Sequence, residues 1–401
     1  MTFFDQAESK FTIFRNSTVL SPHYVPRDLP FRENQIKEIV SILTPALKAQ
    51  KPRNIILYGK TGTGKTCCVK RIMEDFEGIS KENAIIQYVN CRIYNTRYRI
   101  LQKILKTSVP EAEKTGFGAT FFYEKLVEIV SKGKQMIIVL DEIDMVKDLD
   151  ELVYTLTRAN DELHGGGVSI IGISNRLSFK DALDPRSKSS LYETEMVFPP
   201  YTAEQLRKIL AERAKEGFAE ESIEQSAINL AAAITSQETG DARYALKLIN
   251  KAGEIAESRS KNKITDSDVE EARKKVEIDL TKETINTLPE MHQIVLHAIA
   301  TLSNSGTKYS RLEVAEKDDK VLFSGEVFEE YEKICKNLGK KSRSLRWYKE
   351  YVSDLEVLGL VSTSISSKGI RGKTTLIKMG SVAPEIEKLT QAILFGNRGS
   401  V

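Results

Sequence analysis

A chain of 401 residues is longer than one hydrophobic core usually fills, so two or three domains are expected. With 41% hydrophobic and 29% charged residues, the composition excludes disordered, collagen-like and fibrous classes. The formal net charge of +3 is too small to argue for nucleic acid in bulk, so such a partner must meet locally concentrated positive charge.

Cys67, Cys68, Cys91 and Cys335 have no metal-ligand spacing, and an adjacent pair bridges poorly, which reads as reduced thiols of a cytoplasmic protein. No apolar run approaches the roughly 18–20 residues of a membrane span, and the start MTFFDQAESKF carries acidic residues without an apolar signal core, so no membrane role is expected.

Residues 1–20 read as an N-terminal extension of a core spanning 1–200. From 32 to 164, apolar runs alternate with helical patterns: NIILYG, a helix opening at Lys65, IIQYVN, a long helical stretch and MIIVLD; GVSIIGISN adds another strand. Unbroken Ile/Val runs mark strands covered on both faces, so the expected class is α/β, a parallel sheet between helical layers. From 201 to 276 no strand pattern survives. AEQLRKILAERAKEGF and ESIEQSAINLAAAITS have helical apolar spacing with Gly217 and Gly240 as stops, which predicts an all-helical domain over 201–277. In 278–401, DLTKETINTLPEMHQIVLHAIATLSN reads as one helix and TKYS as a short strand. EVFEEYEKICKNLG and SRSLRWYKEYVSDLEVLGL read as helices, and LVSTSISSKGIRGKTTLIKM as a hairpin. Three helices followed by a basic hairpin are the order of a winged helix-turn-helix.

The strongest chemical signal is Gly59-Lys60-Thr61-Gly62-Thr63-Gly64-Lys65-Thr66, set between the strand NIILY and a helix. Its glycines let backbone N–H groups converge on phosphate oxygens at a positive helix N-terminus; Lys65 adds a point charge, Thr66 can ligate magnesium, and Cys67 follows in the first turn. ATP or ADP with Mg2+ is therefore expected. The strand at 137–140 ends in Asp141 and Glu142. Asp141 suits the metal, directly or through water, and Glu142 suits the general base for the attacking water, although acidic residues there also serve simply to solvate a loop. Asn175, ending the next strand, is placed to position that water or touch the γ-phosphate.

Together these residues resemble the AAA+ ATPases. Further segments narrow the resemblance, over nearly the whole chain, to the archaeal origin-recognition and helicase-loader type of replication initiator. HYVPRDLPFRENQI, 23–36, is similar to the family's adenine-packing segment, which implies Val25, Pro26, Arg27 and Arg32 as nucleotide neighbours. LDPRSKSSL, 183–191, resembles the arginine-finger stretch, which gives Arg186 that role if a neighbouring subunit presents a nucleotide to it. TGDARYAL, 239–246, resembles the lid motif whose arginine senses the γ-phosphate, here Arg243, and FPPYTAEQLRKILAERA resembles the approach to the lid, with Tyr201 and Arg213 as contacts. The resemblance implies an AAA+ core, a helical lid and a C-terminal winged helix. It further implies a slow Mg-dependent ATPase acting as a switch, duplex origin DNA as partner, and initiator paralogues and the replicative helicase as protein partners.

Lys341, Ser342, Arg343 and Arg346 are the expected DNA contacts here: Arg343, Arg346 and Lys349 fall at helical spacing on one side of a helix whose Leu345, Tyr348, Val352 and Leu355 can pack inward, with Trp347 expected partly buried. Lys368, Arg371 and Lys373 in the hairpin turn would reach the adjacent minor groove as a wing. In the resembled family an insertion in the core, here extending to about Tyr123, also contacts DNA. Arg97 and Arg99 on a basic helix and the loop KTGFGAT both stand as its contacts, and the two arginines can equally just solvate a helix. Two rival readings are an AAA+ DNA-remodelling motor and an ATP-gated transcriptional regulator; the adenine segment and LDPRSKSSL favour the initiator.

Overall fold

The computed structural model describes residues 12–80, 83–109, 116–163, 165–191, 193–305, 321–365, 374–379 and 383–396. Its first elements alternate: α1 (Glu33–Leu43), β1 (Asn54–Tyr58), α2 (Lys65–Ile79), β2 (Ala84–Asn90), α3 (Arg97–Leu105), α4 (Ala119–Val130), β3 (Gln135–Asp141), α5 (Leu149–Glu162), β4 (Gly167–Ser174), α6 (Pro185–Leu191) and β5 (Glu193–Val197). The strands form one sheet in the order β2-β3-β4-β1-β5, every neighbouring pair parallel.

The apolar runs are continuous because both faces are covered. In β1, Ile55 and Leu57 enter a layer with Ile39 and Leu43 of α1 and Val69 and Ile72 of α2, while Ile56 and Tyr58 enter the opposite layer with Ile100, Phe122, Leu126 and Val153. The sequence pattern does not mark β5: ETEMV is an edge strand with two glutamates and only Met196 buried, so it lacks the apolar run of a covered one. The crossover from β1 to β2 passes β4 and β3, which leaves the C-terminal ends of β3, β4 and β1 side by side. Ligands of open α/β sheets bind at such ends.

Four helices follow: α7 (Ala203–Gly217), α8 (Gln225–Glu238), α9 (Ala242–Ser258) and α10 (Asp266–Thr287). Thr202 and Gln205 cap α7 reciprocally, and Asp241 caps α9 after Gly240 turns the chain at φ 66°.

The chain divides into two units, Met1–Ala272 and Arg273–Val401. The second holds α11 (Glu290–Ser305), β6 (Leu322–Phe323), α12 (Ser324–Asn337), α13 (Leu345–Val357), β7 (Val361–Ile365), β8 (Thr375–Met379) and α14 (Ala383–Phe395), with a sheet ordered β6-β8-β7. α11 is buried nearly all round, through Ile294, Val295, Leu296, Ala298 and Ile299. The single helix expected from DLTKETINTLPEMHQIVLHAIATLSN is two, because Pro289 lacks an N–H and turns Leu288 away from helical backbone. α14 was also not foreseen; its Thr390 meets His297 Nδ1 at 2.8 Å. The expected TKYS strand lies outside the described residues. Among those described, no helix is long and apolar enough to cross a membrane.

Candidate functional site

Three strand ends converge on one loop. After β1, Gly62 and Gly64 take left-handed backbone at φ 66° and 91°, where a side chain is strained. A Cβ on Gly62 would also collide with the Asp241 carboxylate, and one on Gly64 would come to 2.8 Å from Tyr201 Oη. Lys65 is buried beneath the loop, its Nζ donating to Gly59 O at 2.7 Å, Lys60 O at 2.8 Å and Asn175 Oδ1 at 3.0 Å. The lysine thus meets the polar residue expected from the end of β4. Burial pushes its ammonium down to about 8, with Asp141 opposing.

Thr66 and Asp141, both expected at magnesium, touch: Thr66 Oγ1 donates to Asp141 Oδ2 at 3.0 Å. Asp141 Oδ1 accepts from the Glu142 N–H at 3.0 Å. Tyr88 Oη, from β2, donates to Asp141 Oδ2 at 2.6 Å, and burial followed by this bond pushes the phenol up. Sequence reasoning missed Tyr88; its only signal is a tyrosine in IIQYVN, opposite Val139 in the register of β2 with β3. Glu142 itself stands at φ 54° and ψ 47°, left-handed backbone for a residue with a side chain.

Beside the loop lies a cavity of about 490 Å³ whose walls include Pro26, Arg27, Gly62, Gly64, Cys67, Tyr201, Arg213 and Arg243. Arg243 is in the first turn of α9, where the Ala242 N–H donates to Gly62 O at 3.2 Å. Arg213 stacks over Tyr24 at 4.7 Å, burial lowers its pKa, and its buried Nη1 has no hydrogen-bond partner. A cavity of this size, a glycine cradle, a lysine, and an orphaned buried guanidinium nitrogen fit an anionic nucleotide, and the Thr66–Asp141 pair fits a hard cation.

Two expected nucleotide neighbours are placed differently. Val25 is half-buried and Arg32 is 2% exposed, and neither lines the cavity. Arg32 instead braces the loop from below, Nε donating to Thr63 O at 2.9 Å and Nη2 to Pro199 O at 2.7 Å, with its guanidinium 4.1 Å from the Tyr201 ring centre. Tyr24, Leu29, Ile209 and Leu246 line the cavity although not foreseen. Ile209 was findable, one helical turn before Arg213. Thr61 is exposed at the loop tip, and Thr63 Oγ1 bonds Lys60 O at 2.9 Å. Arg186 is exposed on α6 and does not line the cavity.

In the second unit, Lys341, Ser342 and Arg343 precede α13 and border a cleft of about 560 Å³ with Lys340, Met291 and Trp347. Arg343 is therefore not on the helix, as its spacing with Arg346 and Lys349 suggested; its backbone N–H is held by Tyr331 Oη at 3.0 Å. Tyr348, Val352 and Leu355 are buried as expected, but Leu345 and Trp347 are 47% and 51% exposed. Both lie in the first turn, beyond the core. Lys368, Arg371 and Lys373 lie outside the described residues, as do 114–115 of the loop KTGFGAT. Arg99 is exposed, whereas Arg97 is engaged on α5, with Nη2 3.3 Å from Glu151 Oε2 and Nη1 3.3 Å from Thr155 Oγ1.

Family models agree with this architecture along the chain: an AAA domain matches 48–178, a Cdc6 AAA+ ATPase-type lid domain matches 207–274, and a CDC6 C-terminal winged helix domain matches 283–388. An ORC1-type DNA replication protein of Thermococcus onnurineus is 39% identical, covering 94% of this chain and 90% of the relative; that of Pyrococcus abyssi is 41% identical, covering 92% and 87%. The chain belongs to the Orc1/Cdc6 family of archaeal DNA replication initiators. Among solved structures, the Aeropyrum pernix ORC1 protein in complex with DNA superposes with a TM-score of 0.81 at 37% identity, covering 97% of this chain and 99% of that one. The Pyrobaculum aerophilum Cdc6p gives 0.60 at 26% identity, covering 96% and 100%. The Orc1/Cdc6 fold accounts for all three parts: AAA+ core with a parallel sheet, helical lid and winged helix.

Proposed function

We propose that this Orc1/Cdc6 chain is a nucleotide-controlled initiator, with a core at 1–200, a lid at 201–277 and a winged helix at 278–401, that holds duplex origin DNA and helps recruit the replicative helicase. The observation that carries the DNA part is the exposed basic set at the start of α13, Lys341, Arg343, Arg346 and Lys349, in a fold that superposes on an ORC1 protein solved with DNA. Arginine and lysine at the head of a recognition helix suit phosphates and guanine edges. Arg99 is a second, core-borne contact. Arg97, tied to Glu151, orients α3 rather than reaching DNA.

In the core, Gly59, Thr61, Gly62, Thr63 and Gly64 present backbone to phosphates, Lys65 neutralises them, and Pro26, Arg27, Cys67, Tyr201 and Arg213 wall the base and sugar. Thr66 and Asp141 would hold Mg2+, which when bound neutralises phosphate charge. Glu142 takes the proton of the attacking water, Asn175 orients that water, and Arg243, on the lid, reports the terminal phosphate. Arg186 acts on a neighbouring subunit's nucleotide, so the isolated chain hydrolyses ATP slowly.

Footprinting on origin-like and random duplexes at fixed salt tests the proposal, with wild type beside Arg343→Ala/Arg346→Ala. Discrete protected sites lost in the double variant support it. Equal, salt-sensitive protection of every duplex, or protection indifferent to the substitutions, overturns docking through the winged helix.

A further inference from the structure

Asp141 is held from three directions. Its Oδ2 accepts from Thr66 of α2 at 3.0 Å and from Tyr88 of β2 at 2.6 Å, and its Oδ1 accepts from the next backbone N–H at 3.0 Å. Two of these donors are general to the motif: the hydroxyl beside the lysine and the chain's own amide. The third is a phenol from the neighbouring strand, and phenylalanine would fill the same layer without it.

The Tyr88 ring is held in place: Lys70, one turn after Thr66 on α2, sets its Nζ 5.1 Å from the ring centre. A carboxylate has about four lone-pair sites, so the donors orient Asp141 without exhausting it.

We infer that Tyr88 is a positioning residue of the magnesium site, aiming the Asp141 carboxylate at the metal and so setting the metal dependence of nucleotide binding. The inference rests on the reading above that Thr66 and Asp141 hold Mg2+. Outer hydrogen bonds of this kind fix ligand geometry before the metal arrives, and losing one typically costs about 10–100-fold in metal affinity.

The test is fluorescence titration of the full chain with an N-methylanthraniloyl ADP, first in EDTA and then across a Mg2+ series, for wild type, Tyr88→Phe, Asp141→Asn and Tyr88→Phe/Asp141→Asn. Tyr88→Phe is expected to raise the half-saturating Mg2+ concentration about 10-fold or more while leaving the EDTA affinity unchanged. Tyr88→Phe should add nothing once Asp141 is Asn. A wild-type Mg2+ response in Tyr88→Phe, with Asp141→Asn displaced, overturns the inference and leaves the metal-site reading standing. An equal loss with and without Mg2+ makes Tyr88 a packing residue and also overturns it. A normal Mg2+ response in Asp141→Asn removes the metal-site reading, and the inference with it.

Discussion

Glu142 combines a proposed proton acceptor with left-handed backbone, φ 54° and ψ 47°, and substitution can separate the two. An L-residue in that region costs roughly 1–2 kcal/mol, which glycine escapes. Against this, glycine gives up roughly 0.5–1 kcal/mol more chain freedom on folding than alanine. The difference favours Glu142→Gly over Glu142→Ala by roughly 0–1.5 kcal/mol, with midpoints about 0.75 kcal/mol apart, which is a rise of about 1.5–3 °C in melting temperature for a unit of this size. Scanning calorimetry without nucleotide, on Ala, Gly and Gln variants, measures it; ATP turnover and nucleotide binding are read in parallel. All three variants should bind nucleotide and lose hydrolysis, with the Gly variant melting highest. A Gly variant that melts below the Ala variant, the usual order at negative φ, would refute strain at this position. Retained turnover in Glu142→Gln would refute its role as base.

Arg32→Ala leaves Thr63 O and Pro199 O without their donor in a buried site and should cost about 3 kcal/mol in denaturant unfolding, and Lys should not restore it because one ammonium cannot reproduce the forked guanidinium. Trp347 is the sole tryptophan and 51% exposed, so saturating duplex DNA should change its emission; unchanged emission on a duplex that footprinting shows bound would put DNA elsewhere. Arg343→Ala and Arg346→Ala should each lower the slope of log affinity against log salt by about 1. Burial lowers the His297 pKa below 6.5, with Glu387 and then Glu330 opposing. The unfolded chain therefore takes the proton first, and stability conferred above 6.5 is lost as pH falls toward the folded value. Melting of the second unit at pH 5 and pH 7.5 should differ less in His297→Phe than in wild type.

The parallel sheet was readable because strands covered on both faces must be apolar throughout, and the phosphate loop because its glycines, lysine and threonine occupy consecutive positions. β5 escaped for the converse reason: an edge strand with Glu193 and Glu195 tolerates charge and shows no run. Periodicity carried α10 into α11 across Pro289, where one missing N–H breaks the helix. Tyr88 and Arg32 show where local patterns end. Tyr88 reaches Asp141 across 53 positions and Arg32 reaches Pro199 across 167, so their partners are fixed by strand order and by packing under the loop. Leu345 and Trp347 failed inward packing because they occupy the first turn of α13, ahead of the buried stripe at Tyr348, Val352 and Leu355.

The contact between Asp241 and Gly62 has a mechanical consequence. With no room for a Cβ between them, the N-terminus of α9 bears directly on the phosphate loop. α9 has 17 residues, a rod of about 25 Å at 1.5 Å per residue. Pivoting it by about 5° at Asp241 carries Ser258 through about 2 Å while Arg243, in the first turn, scarcely travels. By this geometry the phosphate loop would serve as a fulcrum and α9 as a lever, so that any small shift beside Gly62 would be enlarged at the far end of the helix.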